Sequence, residues 1–92
     1  MTLIYSQPFT TTSRVIQNNV QHYTEIEKYL NLYEDKITAP YNQFHLQDVF
    51  DVSYRPLSAS YGFLYLHTNQ GVFSYTVKTS PESFINEYKR LK

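Results

Sequence analysis

The stretch Ser80-Pro81-Glu82-Ser83-Phe84-Ile85-Asn86-Glu87-Tyr88-Lys89-Arg90-Leu91 carries the clearest periodicity in the chain, with Phe84, Ile85, Tyr88 and Leu91 at i, i+1, i+4 and i+7. That spacing draws one apolar stripe along a helix about three turns long. Ser80 offers a capping hydroxyl, Pro81 a first helical position that needs no N–H, and Glu82 a negative charge where the helix dipole favours one. Lys89, Arg90 and Lys92 close the last turn. A helix over residues 81–91 must therefore lie on something apolar.

Upstream, the pattern changes to short aromatic and β-branched runs. Residues 61–68 and 72–78 form two of these, joined by Asn69-Gln70-Gly71, which predicts a β-hairpin. Two registers are open. A three-residue loop with Gly71 in the left-handed region groups Phe63, Tyr65 and His67 with Phe73, Tyr75 and Val77. Shifting the pairing by one groups Leu64 and Leu66 with them instead, and this makes the more ordinary core. Residues 48–55 read as a strand, with Val52 and Tyr54 alternating against Asp51, Ser53 and Arg55, and Pro56 ends it before a polar loop over 57–60. The pieces 37–40 and 43–46 flank a turn at Asn42 and predict a small meander. Residues 13–17 and 20–23 flank Asn18-Asn19, a pair that tolerates positive φ and suits a tight turn. Residues 24–35 fit either state. Thr24-Glu-Ile-Glu27 has the form of a capping box and Ile26, Tyr29, Leu30, Tyr33 and Ile37 keep helical spacing, yet Tyr29-Leu-Asn-Leu-Tyr33 alternates as a strand does.

Composition narrows the class of function. The 92 residues balance Lys+Arg 8 against Asp+Glu 8, contain no cysteine, and include ten Tyr and six Phe but only two Gly. Without thiols there is no disulfide, thiolate nucleophile or Cys-ligated metal, so folding rests on burial of carbon surface. Few glycines and prolines argue for an ordered single domain over 1–92, and the tyrosines and phenylalanines tilt it towards β structure. No run approaches a membrane span, and the opening Met1-Thr-Leu-Ile-Tyr-Ser lacks the basic and apolar regions of a secretory leader, so a cytoplasmic location is expected. Zero net charge and the lack of a basic stripe argue against nucleic acid, because a binding protein must replace condensed counterions.

From Tyr29 onward the order of signals resembles bacterial members of the pleckstrin-homology-like superfamily. The words that carry the resemblance are Tyr29-Leu-Asn-Leu-Tyr-Glu-Asp-Lys-Ile37, Phe44-His-Leu-Gln-Asp-Val49, Gly62-Phe-Leu-Tyr-Leu-His-Thr-Asn-Gln-Gly71 and Pro81-Glu-Ser-Phe-Ile85. The resemblance implies an α+β fold: an antiparallel β-barrel or sandwich of about six to seven strands, capped by a C-terminal helix. It also implies that residues 29–33 are strand. Lipid-binding members hold inositide headgroups with early basic residues. Here the first 30 residues offer only Arg14 and Lys28 against Glu25 and Glu27, which argues against membrane-lipid binding.

Candidate chemistry is sparse. His22, His45 and His67 could be assembled into a zinc site with Asp48, but none has a partner at ligand spacing, so neither a metal nor another cofactor is expected. Asp48 and Asp51 could form an acid–base pair, although aspartates beside a strand start more commonly cap backbone N–H groups. No nucleophile elbow or phosphate-cradling glycine loop occurs. The expected function is a non-catalytic module for protein interaction or self-association, with a homodimer among its forms. Tyr54, Arg55, Tyr61, Tyr65 and His67 would supply an aromatic and arginine patch of the composition enriched at interfaces. The alternative is a small-ligand or metal-dependent activity centred on His67.

Overall fold

The computed structural model describes residues 2–92, with the side chains of Ser13, Arg14 and Val15 outside that description. Arg14 therefore enters only through its backbone register, and Met1, where the leader reading begins, lies outside the described residues. Among the described residues, seven antiparallel strands precede one helix. The strands are β1 (Leu3–Gln17), β2 (Val20–Tyr33), β3 (Lys36–Thr38), β4 (Gln43–His45), β5 (Val49–Pro56), β6 (Gly62–Thr68) and β7 (Gly71–Val77), followed by α1 (Glu82–Leu91). A single 3-10 turn, Leu46–Asp48, joins β4 to β5. All seven strands belong to one sheet in the order β4-β3-β2-β1-β7-β6-β5. The architecture is thus α+β with an antiparallel sheet.

The sheet is open, which corrects the expectation of a closed barrel. Closure needs a continuous ladder with a consistent stagger between neighbours. The edge strand β4 has three residues against eight in the opposite edge β5, and β1 meets β7 through the single bridge Thr10↔Thr76. The sheet nevertheless curls, bringing the rings of Phe44 on β4 and Phe73 on β7 to 4.9 Å. The helix covers the concave side. Phe84 and Tyr88 are buried against β1 and β5, with Ile85 and Leu91 packed beside them, so the predicted stripe is the docking face. Tyr88 donates its hydroxyl to the Val49 carbonyl at 2.9 Å, and Lys92 Nζ donates to the Leu46 carbonyl at 2.7 Å, pinning the end of the chain to the segment that joins β4 to β5. The helix begins one residue later than the sequence suggests. The Pro81 carbonyl accepts from the Ile85 N–H at 2.9 Å, so Pro81 occupies the cap rather than the first turn.

The β6–β7 hairpin adopts the register that groups leucines with aromatics, pairing Leu64 with Tyr75 and Leu66 with Phe73. Asn69 and Gln70 alone form the turn. Thr68 Oγ1 accepts from the Gln70 N–H and donates to the Gly71 carbonyl, while Gly71 takes the positive φ of 124° at the first position of β7. Residues 24–33, open between helix and strand in the sequence, lie within β2. Asn18 and Asn19 have φ of 53° and 64°, the left-handed pair that a two-residue hairpin turn requires. The β1–β2 ladder runs without interruption from Tyr5↔Leu32 to Gln17↔Val20, far past the end of the sheet's core. It makes the molecule 50 Å long against 28 and 24 Å in its other dimensions.

Candidate functional site

Alternation along β6 decides which residues meet. Leu64 and Leu66 point into the core and leave Phe63, Tyr65 and His67 on the convex face. Successive ring centroids from Tyr61 through Phe63 and Tyr65 to His67 lie 6.4, 6.1 and 6.4 Å apart, a continuous ring strip along one strand. In the antiparallel ladder β5 sets Arg55 opposite Phe63, Ser53 opposite Tyr65 and Asp51 opposite His67, while β7 sets Thr76, Ser74 and Val72 on the other side. Directly opposed residues share a face. Arg55, Tyr61, Tyr65 and His67 are therefore brought together as the sequence suggests. Tyr54 is not. It sits opposite Leu64 and packs against the core from the concave side.

Ser53 Oγ and His67 Nε2 lie 2.8 Å apart, a hydroxyl and imidazole within reach of proton transfer. The orienting acid of a catalytic array is missing from this geometry. Asp51, the nearest carboxylate in register, instead accepts from the Val52 N–H at 2.9 Å. The bond fixes the plane of His67 and extends the ring strip by one member. The three histidines stand on β2, β4 and β6, and among the described residues no three of His, Asp or Glu gather around a common point.

At its lower end the strip opens into a cleft of about 410 Å³ lined by Glu25, Ser60, Tyr61, Thr76 and Lys78. Lys78 and Glu25 form an ion pair across it, tying the root of the β1–β2 hairpin to the segment after β7. Sequence reasoning missed Phe63 as a member of the patch, although the favoured register implied it, and it missed Glu25 and Lys78, whose meeting depends on a contact across 53 residues. A second cleft of about 230 Å³ opens where β1 and β7 part, beneath the β3–β4 loop. Lys28 Nζ there sits 4.6 Å from the centre of the Tyr41 ring, and Phe9 and Tyr75 meet edge-on at 4.9 Å. Burial pushes the Tyr75 hydroxyl pKa up, an effect its hydrogen bond with Asn42 partly offsets. The basic cluster at the helix end is largely engaged. Arg90 pairs with Glu87, and Lys92 is held by the Leu46 carbonyl above the Tyr88 ring.

No family model, curated protein or solved structure matches this chain.

Proposed function

We propose that the chain is a non-catalytic interaction module whose binding surface is the convex face built from Arg55, Tyr61, Phe63, Tyr65 and His67. The observation that carries this reading is the unbroken ring strip of β6, flanked by Arg55 and by the short polar side chains Ser53, Ser74 and Thr76. Aromatic rings deliver large contact area with few rotatable bonds, and arginine stacks on them while donating to acceptors on a partner. Open sheet geometry favours docking of a macromolecule over enclosure of a small substrate, since ligand pockets bury most of what they bind. The pleckstrin-homology-like resemblance belongs to the same proposal. Antiparallel strands followed by a terminal helix are the element order it implies, while the open sheet departs from its closed barrel. No helix among the described residues is long and apolar enough to cross a membrane, and a cytoplasmic location is part of the proposal.

The test is comparative capture from native lysate with the wild-type chain and the Arg55→Ala/Tyr65→Ala double variant, after circular dichroism shows the same fold. A protein retained stoichiometrically by the first and lost by the second supports the surface. Identical capture by both refutes it. Metal analysis beside a His67→Ala control separates the alternative, which predicts stoichiometric zinc that depends on that histidine.

A further inference from the structure

Residues Val20 to Glu27 are all exposed although they lie within a strand, where alternation ordinarily buries every second side chain. The reason is topological. Beyond Thr10↔Thr76 on one side and Asn31↔Thr38 on the other, β1 and β2 pair only with each other, so the distal hairpin is a two-stranded arm. Such a ribbon is marginal in water by itself. It also exposes Ile16, Val20, Tyr23 and Ile26, at 62%, 54%, 66% and 40%. Its two edges differ. At the arm's root Lys78, just past the β1 neighbour β7, pairs with Glu25 of β2 beside Ser60 and Tyr61, while the outer β2 edge meets no strand.

The outer edge complements itself. Gln17 and Val20 flank the turn and exchange its closing bonds, so Val20, His22, Thr24 and Ile26 turn their backbone groups to β1. Gln21, Tyr23 and Glu25 then present free N–H and C=O groups outward. Consider a second copy of β2 laid antiparallel along this edge, with a two-fold axis through Tyr23. Val20 falls opposite the partner's Ile26, His22 opposite the partner's Thr24, Gln21 opposite the partner's Glu25, and Tyr23 opposite itself. Apolar meets apolar, and no carboxylate faces another. Sliding the register so that Glu25 or Glu27 meets itself or the other opposes like charges, which is unfavourable. We infer that the arm binds a second copy of this chain by antiparallel β2–β2 pairing centred on Tyr23. The pairing satisfies about six backbone hydrogen bonds that water otherwise fills. Its facing surface is about 23 Å long by roughly 10 Å deep on each copy, or about 500 Å² in total, against the roughly 1,200 Å² of a standard stable interface. The dimer is accordingly weak and forms in the upper micromolar range.

This surface is separate from the convex patch, and sedimentation velocity on the full chain distinguishes the two. The wild type is expected to pass from monomer to dimer as its concentration rises from about 10 µM to about 1 mM, a range set by the small interface. Gln21→Glu, which would face the partner's Glu25, should weaken association roughly threefold or more, and Gln21→Lys should strengthen it, each acting twice per dimer. Tyr23→Pro removes an outward N–H that β1 does not use, so it should abolish dimers while leaving the arm paired. A chain that stays monomeric throughout, or a dimer indifferent to all three substitutions, overturns the inference. A dimer lost in Arg55→Ala/Tyr65→Ala but kept in Tyr23→Pro also overturns it and assigns self-association to the convex patch.

Discussion

Truncating Phe84 to alanine tests whether the helix is part of the core or merely follows it in the chain. Phe84 is fully buried, and its ring meets the Tyr5 ring edge-on at 6.4 Å, so the helix and β1 share this contact. Removing such a ring from a close-packed interior costs about 3–5 kcal/mol in lost transfer energy and residual cavity. A domain of this length has about 5–14 kcal/mol of total stability, so the substitution removes a large share of it. Alanine is the better helix former by about 0.5 kcal/mol, and local helicity therefore moves the other way. The two contributions have opposite signs, which makes the outcome decisive. With a urea dependence of about 1–1.5 kcal/mol per molar, the unfolding midpoint should fall by about 2–4 M as followed by circular dichroism. A midpoint that is unchanged or raised would refute the docked helix, and with it the core described between α1 and the concave sheet.

Tyr88 gives a pH test. Burial first, and the nearby Asp51 charge second, hold its hydroxyl pKa above the ordinary value of 10.0. A raised pKa means the folded state keeps the proton more firmly, so this stability is complete below pH 10 and is lost as pH climbs beyond it. Tyr88→Phe should cost about 1 kcal/mol at neutral pH through the lost bond to Val49 and should flatten the alkaline limb of a stability–pH curve. Asn19→Val places a branched residue at positive φ, and should increase amide exchange throughout the distal β1–β2 arm while moving the global unfolding midpoint little. Gly62→Ala would set a Cβ 2.7 Å from the Tyr54 ring and 2.8 Å from the Arg55 carbonyl, costing about 1–3 kcal/mol in thermal unfolding. Gly71→Ala meets open space, so its smaller cost of about 1–2 kcal/mol comes from φ alone.

The elements that could be read from the chain are those whose local chemistry and tertiary environment agree. The helix stripe, the Asn18-Asn19 turn and the β6–β7 register each follow from residues within one or two turns or strands of each other, and for the helix and the β6–β7 hairpin the core rewards the same choice. Residues 24–33 could not be assigned from pattern because Ile26, Tyr29, Leu30 and Tyr33 satisfy both periods. What decides them is the long partner β1, whose own pattern is interrupted by Pro8 and by the polar run Thr10-Thr11-Thr12-Ser13. Thr10, Thr11 and Thr12 pair with Glu27, Ile26 and Glu25 in the middle of the longest ladder in the sheet.

The patch shows the same division. That Tyr65 and His67 share a face, and that Arg55 and Tyr54 occupy opposite ones, is fixed by strand alternation and was within reach once β5 was recognised as a strand. Grouping Tyr54 with Arg55 followed adjacency in the chain, and adjacency in a strand separates side chains. Barrel closure lay beyond sequence patterning for a different reason. It depends on whether two distant edges match in length, and the three residues of β4 leave β5 with no ladder to join. The sheet's curl therefore ends in a seam, and the C-terminal residues are tied to the 46–49 segment that links its two edges, Tyr88 to Val49 and Lys92 to Leu46. A seam of that kind leaves the β5 edge, the β2 arm and the convex strip free at once. A chain with zero net charge has little repulsion to keep such surfaces apart, and that is the physical ground on which both proposed association surfaces rest.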